Sequence, residues 1–137
     1  MAMLPGAAKT RIIAATGTAQ TGATAKRLKS YEQLVICHCP LTAGNDADVD
    51  IYLPPVAECK GLTFVFQLTV QSGDANFNVY DYMADTLDGA ANTYHSVGFP
   101  GASGSDYVKN FVLDAAADYL VLQSDGIHWL IVKNGIA

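Results

Sequence analysis

Two apolar runs, Tyr119-Leu-Val-Leu122 and Ile127-His-Trp-Leu-Ile-Val132, flank Ser124-Asp125-Gly126 near the end of the chain. Asp-Gly between such runs favours a tight β-hairpin, because glycine takes the positive φ that the turn demands. The runs are short and rich in β-branched and aromatic residues, which argues against a pair of helices. With strict alternation, Ile127, Trp129 and Ile131 share one face, and His128, Leu130 and Val132 share the other. Both faces are largely apolar. The hairpin is therefore expected between two layers, with its own sheet on one side and a neighbouring chain on the other. Trp129, Leu130 and Val132, together with Phe99 and Tyr107 from the preceding stretch, are the expected oligomer interface.

Upstream, the pattern continues as short strands. Leu34 to Cys39 stops at Pro40, which has no amide proton for a ladder. Val49, Ile51 and Leu53 alternate before Pro54-Pro55, and Leu62, Phe64, Phe66, Leu68 and Val70 alternate in the longest candidate strand. Asn76 to Tyr82, Thr93 to Val97 and Tyr107 to Leu113 complete the set, with a Gly- and Ser-rich loop over Gly98 to Asp106. Seven or eight short strands separated by turn signals predict an all-β fold, an antiparallel β-sandwich or barrel. No internal repeat of useful length stands out.

Charge divides the chain. The net charge is -5, yet up to Ser30 the ionisable residues are Lys9, Arg11, Lys26, Arg27 and Lys29 with no acid, while three lysines face thirteen acids beyond it. Thr16 to Ala25 holds no large apolar residue, and Leu28, Tyr31 and Leu34 make only a thin helical stripe over Ala25 to Leu34. Residues 1–30 are therefore expected to form a basic, extended N-terminal arm, and residues 31–137 the β body. Such an arm suits an acidic surface on a neighbouring subunit or scaffold. Five spread charges without interleaved aromatics argue against nucleic acid as its partner.

With 50% apolar and only 15% charged residues, part of the surface is expected to be covered by copies of the chain or by a partner. No apolar run approaches the roughly 20 residues of a membrane span. The opening Met-Ala-Met-Leu-Pro-Gly has neither a basic segment nor a long apolar one, so no secretory signal is expected. Three cysteines, an odd number, point to reduced thiols in a cytosolic product rather than a disulfide framework.

Catalytic and metal motifs are sparse. On a strand Cys37 and Cys39 face one way and His38 the other, so with Cys59 they read as buried core thiols and no metal site is expected. Asp46-x-Asp48-x-Asp50 lacks the glycine and glutamate of a calcium loop and reads as the solvent face of a strand; a cation shared between subunits is the alternative. His95 and His128 have no nucleophile context such as Gly-x-Ser-x-Gly. No catalytic residue and no cofactor are expected, and His128 reads as an exposed or interface residue. Tyr80, Tyr82, Tyr94, Phe99 and Tyr107 offer a further alternative, stacking on the sugar rings of a cell-surface glycan.

The order Ile51-Tyr-Leu-Pro-Pro55, Lys60-Gly-Leu-Thr-Phe-Val-Phe66, Asp85-Thr-Leu-Asp-Gly-Ala-Ala91 and Leu120-Val-Leu-Gln-Ser-Asp-Gly-Ile-His-Trp-Leu-Ile-Val132 resembles small β-modules of bacteriophage virions. These modules are capsid decoration (cement) proteins and segments of tail fibres or tail spikes, usually trimeric. The chain has no heptads and no Gly-X-Y run of a fibre stalk, so it is more similar to a decoration protein. The resemblance covers about Asp48 to Val132 and none of the basic segment. It implies a non-enzymatic homotrimer on the outer capsid surface, assembled in the host cytoplasm, that binds across neighbouring major capsid subunits. A receptor-binding or tail-fibre module is the alternative. Neither implies a membrane partner.

Overall fold

Alternation becomes packing most plainly in the strand Thr63–Gln71. Phe64, Phe66 and Leu68 point inward and are fully buried, while Gln67 and Thr69 face out. Val70 belongs to the buried set by alternation but is 39% exposed. Pairing slips at this point: Cys37 faces Leu68 but His38 faces Val70, which leaves Thr69 as an extra residue and turns the alternation over.

The computed structural model describes residues 8–81, 99–100, 107–108 and 110–136. Its strands, in chain order, are β1 (Thr10–Ala14), β2 (Lys26–Arg27), β3 (Leu34–Cys39), β4 (Val49–Tyr52), β5 (Thr63–Gln71), β6 (Phe77–Tyr80), β7 (Phe99–Pro100), β8 (Tyr107–Val108), β9 (Asn110–Leu113), β10 (Tyr119–Ser124) and β11 (Trp129–Asn134). Among the described residues the only helical elements are 3-10 turns at Gly22–Thr24 and Val56–Cys59. No described helix is long and apolar enough to cross a membrane. The helix suggested over Ala25 to Leu34 does not form. Of its stripe only Leu28 is buried, and Tyr31 and Leu34 lie outside the core.

One sheet has the order β1-β3-β5-β10-β11 and a second the order β2-β4-β6-β9, while β7 and β8 pair separately. Up to β6 the chain alternates between the two large sheets. Each return lays a strand parallel to its predecessor: β3 beside β1, β5 beside β3, β4 beside β2, and β6 beside β4. From β9 onward the pairing is antiparallel, with β9 on β6, β10 on β5 and β11 on β10. The fold is therefore all-β, built from two mixed sheets, with no closed barrel. The expected antiparallel body is corrected to three parallel windings closed by antiparallel strands. The connection from Pro40 to Asp48 is a crossover from the first sheet to the second, as parallel neighbours can be joined only by a long connection.

Both large sheets feed one core. Ile13, Val35, Phe66 and Leu122 enter it from the first, and Val49, Ile51, Phe77 and Leu113 from the second. The segment expected as an extended basic arm belongs to it as well. β1 and β2 are edge strands of the two sheets, and Ile13, Ala15 and Leu28 are 2%, 2% and 4% exposed. The amides of Ala15 and Leu28 donate to the carbonyls of His38 and Tyr52, each at 2.9 Å. The arm expectation is thus revised for these residues: a stretch poor in large apolar side chains serves as a crossover between two strands that each need only one inward residue.

Register explains why the windings are hard to see in sequence. Partners in successive windings lie 24 residues apart (Thr10 and Leu34), 31 (Leu34 and Val65), 25 (Lys26 and Ile51) and 28 (Val49 and Phe77). With no constant period, no long repeat emerges. One local echo survives at the last spacing: Asp46-Ala-Asp-Val-Asp-Ile-Tyr52 returns as Asp74-Ala-Asn-Phe-Asn-Val-Tyr80.

Candidate interaction surfaces

That echo has a physical purpose. The Oδ2 of Asp46 accepts the amides of Asp74 (2.8 Å) and Ala75 (3.0 Å) and the thiol of Cys39 (2.8 Å). Asp48 Oδ1 accepts the Asn76 amide at 2.9 Å, and Asp50 Oδ1 accepts the side-chain amide of Asn78 at 3.0 Å. Each acid thus reaches the next winding, 28 residues on. These donors hold the Asp46 carboxyl well below the usual carboxylate range, the Cys39 hydrogen bond first among them. A β-carbon at Gly73 would overlap Asp46 Oδ2, so this close approach requires glycine. The three acids lie half-buried on the side away from Val49 and Ile51, as the solvent-face account has it, and from there they rivet one winding to the next. Neighbouring strands in a parallel sheet stack equivalent residues, which is why the signal lay in the match between two motifs rather than in either alone.

Arg27, Tyr52 and Tyr80 make a second column, which spans β2, β4 and β6. The Tyr rings stack at 5.1 Å, and the Arg27 guanidinium lies 4.9 Å from the Tyr52 ring centre. Of the aromatics considered for sugar stacking, Tyr80 is committed to this column. Tyr82 and Tyr94 lie outside the described residues, as do the side chains of Phe99 and Tyr107, whose backbones belong to β7 and β8.

The basic residues gather at the first winding. Lys9 holds its ammonium 5.4 Å from the Tyr31 ring, and its amide donates to the Tyr31 carbonyl at 2.6 Å. Arg11 is spent internally, its Nη1 lying 2.8 Å from Glu32 Oε2. The other Glu32 oxygen accepts the Lys29 amide at 2.8 Å. Lys26 and Arg27 form β2, the edge of the second sheet. Beside them lies a cleft of about 350 Å³ whose rim includes Arg27, Lys29 and Glu58.

At the other edge of the first sheet, the Asp-Gly hairpin forms as expected. Asp125 Oδ1 accepts the amides of Ile127 (2.7 Å) and His128 (2.5 Å), and Gly126 takes φ 91°. These backbone donors, His128 first, lower the Asp125 pKa. His128 is exposed, its Nδ1 3.6 Å from Asp125 Oδ2. Ser124 anchors the turn to the 3-10 turn at Val56 through a 2.7 Å hydrogen bond to its carbonyl. Trp129 is 1% exposed and meets Phe64 edge-on, with ring centres 5.4 Å apart. Its assignment to an oligomer interface is therefore corrected, because one chain already surrounds the ring. Leu130 and Val132 are 43% and 58% exposed, Val132 as the unpaired residue where the β10–β11 register slips.

Leu130 is part of a larger surface. Along the outward side of the first sheet, Leu34, Val65 and Val121 lie in one row and Ile12 and Ile36 in the next. Among the described residues, no acid from β1, β3, β5, β10 or β11 lies on this side. A solvated sheet face ordinarily alternates toward polar residues. Thr63, Gln67 and Gln123 lie on this side too, but apolar residues contributed by all five strands mark a surface that gains by being covered.

The remaining groups are buried. Cys37, Cys39 and Cys59 are inaccessible, and burial pushes the thiols of Cys37 and Cys59 up to about 12 and about 11. No group of three or more His, Cys, Asp or Glu that could hold a metal occurs among the described residues. Asp81, just beyond β6, is 2% exposed, and neither of its oxygens has a hydrogen-bond partner among the described residues. Its burial raises the carboxyl to about 7. His95 and Ser96 lie outside the described residues.

Comparison of the chain with models of known protein families, with curated proteins and with solved structures returned no match.

Proposed function

We propose that the protein is a non-enzymatic structural component of a bacteriophage virion. Its body is a two-layer β-sandwich that decorates the outer capsid surface as a homotrimer and binds across neighbouring major capsid subunits. The observation that carries this reading is the outward face of the first sheet, where Ile12, Leu34, Ile36, Val65, Val121 and Leu130 present apolar surface without an acid among the described residues. Such a face favours association with copies of itself. The resemblance of the segment from Asp48 to Val132 to virion β-modules supplies the partner class. Many copies, each adding modest area across a joint between subunits, stabilise a shell because opening one joint must break several contacts at once.

Native mass measurement combined with co-sedimentation on assembled shells of the encoding phage tests this reading. Leu34→Asp with Leu130→Asp is expected to leave a folded monomer that no longer trimerises or sediments with shells. Wild-type protein that is monomeric at all concentrations and fails to bind shells would contradict the proposal.

A further inference from the structure

The two large sheets leave four edge strands among the described residues, β1 and β11 on the first and β2 and β9 on the second. An open edge is a template for a further strand, and folded proteins blunt it with short strands, bulges or charge. β2 and β9 span only two and four residues, and β11 is broken by the bulge at Val132 and carries Lys133 beside it. β1 has none of these guards. It pairs with β3 in unbroken register from Thr10 to Ala14, its one charged side chain is bound to Glu32, and Ile12 at its centre is 68% exposed. The Ala15 amide donates to the His38 carbonyl of β3, so alternation directs the backbone groups of Arg11 and Ile13 to that strand and turns those of Thr10, Ile12 and Ala14 outward in the plane of the sheet. The Ala14 carbonyl is capped there by the Gln20 side-chain amide at 2.9 Å. The groups of Thr10 and Ile12 face no strand among the described residues.

We infer that β1 accepts an extended segment of a different protein as an added strand of the first sheet. In such an addition the main-chain hydrogen bonds supply the affinity and alternate side chains supply the specificity. A second copy of the chain is the poorer occupant. Antiparallel pairing of two β1 strands centred on Ile12 sets Thr10 of each against Ala14 of the other, where Gln20 already holds the carbonyl. Moving the centre to Arg11 sets two Arg11 side chains abreast, each fixed in place by Glu32, and moving it to Thr10 sets Lys9 abreast of Arg11. Like charges directly opposite one another are destabilising. A foreign strand avoids both conflicts, because it needs only the groups of Thr10 and Ile12 and need carry no cation opposite Arg11. Its chemistry follows from the edge it joins: a neutral segment of β-forming residues without proline, with an apolar side chain beside Ile12 to continue the outward row of Ile12 and Ile36. Pairing at the edge shares only Ile12 with the face proposed for self-association, and it holds whichever protein supplies the segment, so it stands or falls separately from trimerisation and shell binding.

Fluorescence anisotropy with the full chain tests it, using a short labelled peptide of alternating Val and Thr and the same peptide N-methylated at its two central residues, which removes a donor from each of its edges. The first peptide is expected to bind saturably and the methylated one at least about tenfold more weakly. Ile12→Lys, with its fold checked by circular dichroism, should weaken binding by about tenfold or more. Ile127→Lys, which charges an equally exposed isoleucine at the hairpin tip (64% against 68%), should change it by less than about twofold. Absence of saturable binding would overturn the inference, as would equal losses in the two variants. Equal binding of the two peptides would overturn it too, since it would place the peptide on the apolar face instead of the edge. So would a dimer of the Leu34→Asp, Leu130→Asp variant that Ile12→Lys dissociates, since it would make a second copy the occupant.

Discussion

Residues 10–80 reach their sheets by crossing between layers, whereas residues 119–134 turn back directly onto a neighbour. In the first region every strand pair is parallel and its partners lie 24 to 32 residues apart. In the second, Ser124 pairs with Trp129 across a tight turn. Parallel pairs carry no local turn to set their register. Here the side chains of Asp46, Asp48 and Asp50 supply part of it by binding atoms of the next winding. The hairpin sets its register with one side chain, Asp125, and one glycine. The same domain thus uses two devices for one problem, and the device matches the length of chain to be closed.

If both regions belong to one cooperative core, truncation in either should destabilise the whole. Trp129→Ala, in the closing region, removes the largest buried side chain and should cost about 3–5 kcal/mol in chemical denaturation. Ile13→Ala, in the first winding, should cost about 2–5 kcal/mol. A negligible effect of Ile13→Ala beside a large effect of Trp129→Ala would split the comparison and restore the first winding to an arm.

Asp81, at the end of the last parallel strand, adds a pH signature. Its folded value of about 7 lies above the ordinary 3.8, so the folded state holds the proton more tightly. Stability from this group is fully present below pH 3.8 and is lost as pH rises toward 7. Asp81→Asn should flatten that part of the stability curve and leave the variant relatively more stable at pH 8. An unchanged slope between these limits would show that the carboxyl is not held protonated.

The smallest effect is expected at the turn into β10, where Ala117 has φ 74°. Relief of left-handed strain, about 1–2 kcal/mol, exceeds the entropic cost of glycine, about 0.5–1 kcal/mol. Ala117→Gly should therefore raise stability by about 0.5–1 kcal/mol, read from the denaturation midpoint. A loss of stability would show that this turn is not strained.

The same contrast governs what the sequence reveals. Leu34 to Cys39 was expected as a strand and is β3, and the Asp125-Gly126 hairpin follows from local chemistry that any short window contains. The parallel pairing was not legible, because crossovers of unequal length leave no period and Thr16 to Ala25 contains no large apolar residue to announce a place in the body. Trp129 looked like an interface residue because both faces of its strand are apolar, and only the three-dimensional placement of Phe64 shows which face is covered. For the site, the five cations were visible, but the groove beside Arg27 and Lys29 was not. It exists only because two crossovers distant in sequence run side by side.

Amide hydrogen exchange at Ala15 and Leu28 tests the central claim most directly, that the basic N-terminal stretch is an integral first winding. Their amides donate to His38 and Tyr52 on neighbouring segments, just as the Leu68 amide, in the middle of the core, donates to Asp118. The account predicts that all three exchange only through global unfolding, with one common opening free energy. Exchange of Ala15 and Leu28 at rates of an unstructured chain, with Leu68 still protected, would contradict it.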